Sequence, residues 1–184
     1  MGTTLKVKLT SASIKNAIKE VEAYRGSLET RTRVFVGRLA EMGLEVAKAR
    51  IAESPIGNLV SIDVKYNNPS NGCRAMLYAT GANIYSAMEE GHVNALLLIE
   101  FGAGIAVNPI PNPLSAEFGM GVGTYGKGHG LDPGGWWYLD VDNKWHHTYG
   151  TKATMPMFKA YDRIQNNIRQ VAEEVFKTDR VVEC

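Results

Sequence analysis

The sequence predicts an α+β protein in which antiparallel β-strands pack against long amphipathic helices. Apolar residues recur at spacings of three and four in two long stretches, and they alternate with polar residues in several short ones. The 184 residues suit one domain, and an apolar content of 45% is enough for a core. We divide this single domain into a strand and helical section (1–53), a β-hairpin and apolar run (54–104), a long loop (105–135) and a hairpin with a closing helix (136–184).

The charge is nearly balanced overall but uneven along the chain. Ten basic and six acidic residues in 1–53 give +4, four and eight in 54–150 give −4, and six and five in 151–184 give +1. The net charge of +1 carries no global signal for nucleic acid, although a basic section beside an acidic one could help copies of the chain dock. No run approaches the roughly 18 apolar residues that a membrane span needs. Cys73 and Cys184 form no Cys-x-x-Cys motif, so we expect reduced thiols.

The first section contains a short strand and two helices. Residues 3–9 alternate apolar and polar side chains, which predicts a strand. Ser11 or Ser13 is placed to cap a helix over 14–24, and Gly26-Ser27 interrupts the helical pattern. A second helix is predicted over 28–53 and ends before Pro55.

The apolar arc of this second helix is wider than one contact surface requires. Small residues on it would allow another element to approach closely. The helix is therefore either the central helix of the monomer core, or packed on its own sheet on one side and on a neighbouring subunit on the other. The candidate subunit contacts on this helix are Phe35, Gly37, Ala40, Gly43 and Ala47.

A hairpin and an apolar run follow. Residues 59–66 and 73–80 alternate and flank a turn cluster, which predicts a β-hairpin with a loop of about six residues. A short apolar segment at 84–88 precedes Leu96–Gly104, which is a core strand or a short buried helix ended by Gly-x-Gly. We expect Glu100 at the rim, because burial of an unpaired charge is costly.

The last third of the chain begins with a stretch that lacks periodicity. Residues 105–135 are rich in Gly and Pro, and a loop of this length tends to be functional or disordered. The next segment is an aromatic hairpin whose first strand is apolar on both faces, so the core should cover one face and something else the other. Its candidate subunit contacts are Trp136, Trp137, Tyr138 and Trp145. The closing helix should start at Pro156 and end near Lys177.

The sequence carries only weak signals for enzyme chemistry. Gly126–Gly130 resembles a phosphate-binding loop but lacks its Gly-Lys-Ser/Thr ending. Adjacent His146 and His147 point to opposite faces of a strand. A small metal-dependent hydrolase using His129, Asp132 and His147 is kept as a rival hypothesis. We otherwise expect no catalytic residue, no cofactor and no metal.

Two short motifs are similar to those of a known family. Ile99-Glu100-Phe101-Gly102-Ala103-Gly104 is followed, after a Gly-rich insertion, by Gly150-Thr151-Lys152-Ala153-Thr154-Met155-Pro156-Met157-Phe158-Lys159-Ala160 opening the last helix. This order resembles the tail-completion, or head–tail joining, proteins of long-tailed bacteriophages, and the resemblance covers about residues 14–177. Ile56 and Ala103 depart from the threonines that are common in the family. The motif positions are Glu100, Phe101, Gly102, Gly104, Pro156 and Phe158.

The resemblance implies a structural role and no enzymatic activity. Such proteins have an α+β fold and form homo-oligomeric rings, usually six-fold, in the virion neck between the head connector and the tail tube. Expected partners are further copies of the chain and other neck and tail proteins, namely a head-completion or adaptor protein and a tail terminator or tube. The channel would leave room for non-specific contact with DNA, and no membrane is involved. The protein would occupy the host cytoplasm during assembly; another neck layer, adaptor or terminator, is the nearest alternative.

Overall fold

The computed structural model describes residues 10–69, 72–86, 91–104, 112–120, 134–139 and 142–177. Their elements are helices α1 (Ser11–Ala52), α2 (Ala95–Phe101) and α3 (Pro156–Phe176), a short 3-10 helix (Gly57–Leu59), and strands β1 (Val60–Asn67), β2 (Arg74–Gly81), β3 (Asn83–Ser86), β4 (Gly91–Asn94), β5 (Trp136–Leu139) and β6 (Trp145–Thr148). One antiparallel sheet pairs β1 with β2, and a second has the antiparallel order β4-β3-β5-β6. The α+β class is thus confirmed. The strand predicted at residues 3–9 and most of the predicted loop 105–135 lie outside the described residues.

Helix α1 is continuous over 42 residues, so the predicted break at Gly26-Ser27 is wrong. A single exposed glycine costs a helix only about 1 kcal/mol, whereas a break would require a second, unfavourable nucleation. The predicted serine caps are also wrong. The cap is Thr10, whose side chain accepts a hydrogen bond from the Ser13 backbone N–H at 3.3 Å.

The C-terminal half of α1 is packed against α3. Three contacts fix their relative direction: Gly43 faces Ile164, Arg38 pairs with Glu174 at 3.4 Å, and the rings of Phe35 and Phe176 lie 5.8 Å apart. Positions that ascend in α1 descend in α3, so the two helices are antiparallel. The buried residues of α1 are Ala40, Gly43, Ala47 and Ile51.

The prediction that Ala40, Gly43 and Ala47 contact a neighbouring subunit is therefore wrong. These residues are buried within the monomer, and Ala47 has no exposed surface at all. A Cβ atom on Gly43 would lie 2.7 Å from Ile164 Cδ1 and 3.5 Å from Leu77 Cδ2. The small residues let α3 and β2 of the same chain approach α1, which is the monomer-core alternative left open by the sequence.

Substitution of Gly43 by leucine should accordingly destabilise the monomer instead of selectively blocking assembly. Extra atoms forced against Ile164 and Leu77 should reduce the free energy of unfolding by about 1–3 kcal/mol. The matched control is Gly37→Leu, because open space surrounds a Cβ at Gly37 on the same helix. A lower urea midpoint is expected for Gly43→Leu alone. Equal midpoints for both variants would contradict this packing.

Both predicted hairpins are confirmed. Strands β1 and β2 pair from Val60↔Gly81 to Asn67↔Arg74. Strands β5 and β6 pair from Trp136↔Thr148 to Leu139↔Trp145. The second hairpin joins β3 through Tyr85↔Leu139. Strands β3 and β4 are new relative to the sequence prediction, in which the short segment at 84–88 had no assigned partner.

Helix α2 decides between the two alternatives for the apolar run. The run is a short helix, capped by the Asn94 side chain and ended by Gly102 at φ 76°. Helix α3 begins at Pro156 and ends at Phe176, as predicted.

Cys73 lies half-buried just before β2, not in the strand core, and its thiol donates to Asn68 Oδ1 at 3.0 Å. Within the described ranges, none of the helices is long and apolar enough to cross a membrane.

Candidate functional site

Glu100 is buried, with 7% of its surface exposed, so its predicted place at the rim is wrong. Its carboxylate compensates for burial through three hydrogen bonds. Oε2 accepts from the Met157 backbone N–H at 2.8 Å. Oε1 accepts from the Phe158 backbone N–H at 3.0 Å and from Asn112 Nδ2 at 2.9 Å. We call Glu100, Asn112, Met157 and Phe158 the Glu100 junction.

The junction supplies α3 with a cap from a distant part of the chain. The residue before α3, Met155, has φ 56° and makes no side-chain capping bond. Pro156 has no backbone N–H, and the Glu100 carboxylate accepts hydrogen bonds from the next two backbone N–H groups. First-turn N–H groups lack helical partners, and a carboxylate there also meets the positive end of the helix dipole. Glu100 thus fixes where α3 starts and how it meets α2.

Asn112 ties a third segment to the same carboxylate. It is 1% exposed, donates to the Glu100 backbone oxygen at 3.2 Å as well as to its side chain, and accepts from the Leu114 N–H at 2.9 Å. The ring of Phe118 lies 5.9 Å from that of Phe101. The described part of the long loop, residues 112–120, is therefore attached to α2. Sequence reasoning missed Asn112, although its position between Pro111 and Pro113 was a signal for a fixed turn.

A second contact joins the two motif segments beside the junction. Ala103 and Thr151 form an antiparallel bridge, with both N–H···O distances at 2.8 Å. Gly104 (φ 83°) and Gly150 (φ 123°) flank this bridge, and a Cβ on either would lie 2.4 Å or less from a backbone oxygen of the other segment. The six motif positions, which are Glu100, Phe101, Gly102, Gly104, Pro156 and Phe158, all lie in this one region: Phe158 is half-buried and the others are buried.

Burial raises the pKa of Glu100 above its usual value of 4.5, and the hydrogen bonds from Met157, Phe158 and Asn112 lower it in part. The unfolded chain therefore loses this proton at a lower pH than the folded protein does. The contribution of the Glu100 protonation equilibrium to the free energy of unfolding is fully present below about pH 4.5 and is lost as pH rises through the raised value.

A comparison with Glu100→Gln should isolate this pH dependence, because the glutamine does not titrate. The free energy of unfolding of the wild type, relative to that of the variant, should decrease from about pH 4.5 upwards until the carboxyl group is ionised in the folded protein. Urea titrations at a series of pH values measure the difference. A difference that grows with pH would contradict the raised pKa.

The hairpin of β5 and β6 presents an exposed aromatic surface. Trp137, Trp145 and Tyr149 are 50%, 54% and 58% exposed. The His147 ring lies edge-on between Trp137 and Tyr149, at centroid distances of 5.0 and 4.9 Å. This aromatic face, defined as Trp137, Trp145, His147 and Tyr149, contains two of the predicted contacts. The other two, Trp136 and Tyr138, lie on β5, but their side chains are outside the described part of the structure.

The remaining predicted contacts are on α1 beyond its buried section. Phe35 is half-buried against Phe176, and Gly37 has open space at its Cβ position. Towards the N-terminus, α1 exposes a series of apolar side chains at 43–65% of their surface: Ile14, Ile18, Val21, Tyr24 and Leu28. Large exposed apolar patches are typical of interaction surfaces.

Of the three residues of the rival metal site, His147 is the one that the structure describes. His129 and Asp132 lie outside the described residues. His147 Nε2 lies 2.9 Å from the Gly134 carbonyl oxygen, in the aromatic face. Among the described residues, no group of three or more His, Cys, Asp or Glu side chains is placed to hold a metal ion.

Comparison of the chain with protein-family models, with curated proteins and with solved structures returns no significant match.

Proposed function

We propose that this chain is a structural protein of the neck of a tailed phage, where it forms a homo-oligomeric ring that joins the tail to the DNA-filled head. The observation that carries the proposal is the Glu100 junction. The two sequence motifs that resemble the tail-completion family lie 57 residues apart, between Glu100 and Met157, and are joined by direct hydrogen bonds. Chance matches at unrelated places in a chain would have no reason to meet.

The exposed apolar surfaces support the assembly part of this proposal. The aromatic face and the N-terminal part of α1 leave large side chains 43–65% exposed in the described monomer. Repeated contacts around a ring would bury such surfaces in every copy. The role is non-enzymatic: the chain would supply rigid contact surfaces, with the Glu100 junction holding α2, α3 and residues 112–120 in one unit.

A ring in the neck would have partners on both of its sides. The ring would contact further copies of itself, a head-completion or adaptor protein on one side, and a tail terminator or tube protein on the other. The protein would assemble in the host cytoplasm and remain in the virion neck.

A joining assay tests the function directly. Purified protein is mixed with DNA-filled heads and finished tails from a phage assembly reaction that lacks it, and joined particles are counted by electron microscopy. We expect joined particles to appear only when the protein is added. The control is the same reaction with buffer in place of the protein. Heads and tails that stay separate with folded protein would contradict the proposal.

A further inference from the structure

Strand β1 has an open edge with a cavity beside it. It pairs with β2 on one side, and no described strand pairs with it on the other. On the open side lies a cavity of about 600 Å³, bordered by β1, the end of α1 and the turn between them. Three consecutive residues of β1 line it, namely Val60, Ser61 and Ile62. Because successive side chains of a strand point to opposite faces, a cavity that touches all three runs along the strand edge.

The register of the hairpin determines which backbone groups face this cavity. The Ala82 N–H donates to the Leu59 carbonyl oxygen at 2.8 Å, which extends the register of the hairpin by one hydrogen-bonded pair. Such pairs alternate along an antiparallel ladder, so Ser61 and Asp63 bond to β2, whereas the N–H and C=O of Ile62 point to the open side. An open edge of this kind is a template for a further strand.

The neighbouring N–H groups limit the length of a strand that pairs here. The Val60 N–H donates to the Gly57 carbonyl oxygen, and the Val64 N–H donates to Asp63 Oδ1 at 2.8 Å. The N–H of Ile62 faces the open side between these two bonded groups. An added strand therefore exchanges both of its hydrogen bonds with Ile62 and extends over about three to five residues.

The wall of the cavity opposite β1 is already formed. A Cβ on Gly57 would lie 2.1 Å from the Ile51 carbonyl oxygen, so the turn packs directly on the end of α1. Ser54 on this wall is 8% exposed, and its hydroxyl has no hydrogen-bond partner within the described structure. Buried hydroxyl groups are usually paired, and after rotation of the side chain a peptide in the cavity offers both donors and acceptors for this one.

Lys48 sets the charge of the site. Among the described residues that line the cavity, it is the one with an ionisable side chain, and it is exposed. The neighbouring charges of Arg50 and Glu53 pair with each other at 3.0 Å, and the Glu53 N–H bonds to the Ala49 carbonyl oxygen at the helix end. A carboxylate is the group that complements Lys48, and at an exposed site such a pair selects and orients a partner.

We propose that this site binds a short extended segment of a partner protein, which pairs with β1 at Ile62 and carries a carboxylate for Lys48 and an apolar side chain for Ile51 at alternate positions. In strand addition of this kind, backbone hydrogen bonds give affinity and pockets for alternate side chains give specificity. The inference goes beyond the proposed function, because it uses neither the Glu100 junction nor contacts between copies of the chain.

The test measures peptide binding to the full chain by fluorescence anisotropy. The probe is the fluorophore-labelled, capped peptide Thr-Glu-Thr-Val-Thr, in which the acidic and apolar side chains point to the same face. A second peptide carries N-methyl groups on its Glu and Val. Residues that face α1 direct their N–H groups at β1, so methylation removes the pairing donors and keeps the side chains.

Two protein variants test the charge. Lys48→Glu reverses the charge in the cavity. Lys19→Glu makes the same change at an exposed position of the same helix, about 40 Å away along its axis. We expect saturable binding of the first peptide to the wild type, a dissociation constant raised about tenfold by Lys48→Glu and by less than about twofold by Lys19→Glu. The N-methylated peptide should not bind. Circular dichroism checks that both variants remain folded.

Three results would overturn the inference. Absence of saturable binding of the first peptide to the wild type would exclude the site. Equal binding of the N-methylated peptide would exclude pairing with β1. Equal effects of Lys48→Glu and Lys19→Glu would show that the overall charge of the chain acts, not the cavity. The proposed ring is read from oligomeric mass, which none of these results measures, so failure of the site and failure of the proposed function are distinguishable.

Discussion

Replacement of Glu100 by alanine should reduce the free energy of unfolding by about 3 kcal/mol, because it leaves three donors without their acceptor in a region shielded from water. These donors are the backbone N–H groups of Met157 and Phe158 and the amide of Asn112. For a chain of this size the melting temperature should fall by about 6–12 °C. Differential scanning calorimetry measures the change.

The matched control for this substitution is Glu117→Ala. Glu117 is exposed on the segment that Asn112 attaches to α2, so its loss should change the free energy of unfolding by no more than about 0.5 kcal/mol. Glu100→Gln should lie between the two, since its amide keeps one acceptor oxygen but presents an NH₂ group to a donor. Equal melting temperatures for Glu100→Ala and Glu117→Ala would show that the junction does not hold the fold together.

Replacement of Gly150 by alanine should have a still larger effect and prevent stable folding. A Cβ there would lie 2.1 Å from the Ala103 carbonyl oxygen and 2.9 Å from Gly104 Cα, and both atoms belong to backbone that is fixed by the Ala103–Thr151 bridge. The φ angle of 123° adds conformational strain. We expect a loss of more than about 4 kcal/mol, seen as insoluble expression or a collapsed urea midpoint.

Alanine substitutions at two other glycines separate the effect of the close contact from that of the positive φ angle. Gly119 also has a positive φ, 62°, but nothing lies within 4 Å of its Cβ position, so Gly119→Ala should cost only about 1–2 kcal/mol of strain. Gly72 has open space and no positive φ, so Gly72→Ala should be nearly neutral. If Gly150→Ala were no worse than Gly119→Ala, the close approach of the two motif segments would be wrong.

Local sequence patterns correctly predicted those helices and strands whose own side-chain periodicity identifies them. Apolar and polar residues alternate on both sides of the turn between Asn67 and Arg74, and this pattern predicted the first hairpin. Pro156, followed by apolar residues at spacings of three and four, predicted α3. The run before Gly102 was ambiguous, because four to eight apolar residues fit either a strand or a buried helix. Its Asn94 cap, which decides for a helix, is a feature that sequence reasoning could have used.

Long-range partners account for what the sequence did not predict. Glu100 was assigned to the surface because its partners lie 12 and 57 or more residues away, and no local pattern names them. Gly43 was assigned to a subunit contact because a wide apolar arc does not say whether α3 or another copy covers it. Gly26 was read as a break, although tertiary context and helix continuity outweigh one glycine.

The proposed role in the neck depends on self-assembly, so the mass of the wild-type protein is its most direct test. Light scattering on the purified full chain, with negative-stain images of the same fraction, gives the subunit number and the shape of the particle. We predict closed rings of about six subunits with a central channel. A homogeneous monomer that shows no rings at any concentration would contradict the proposed role in the neck.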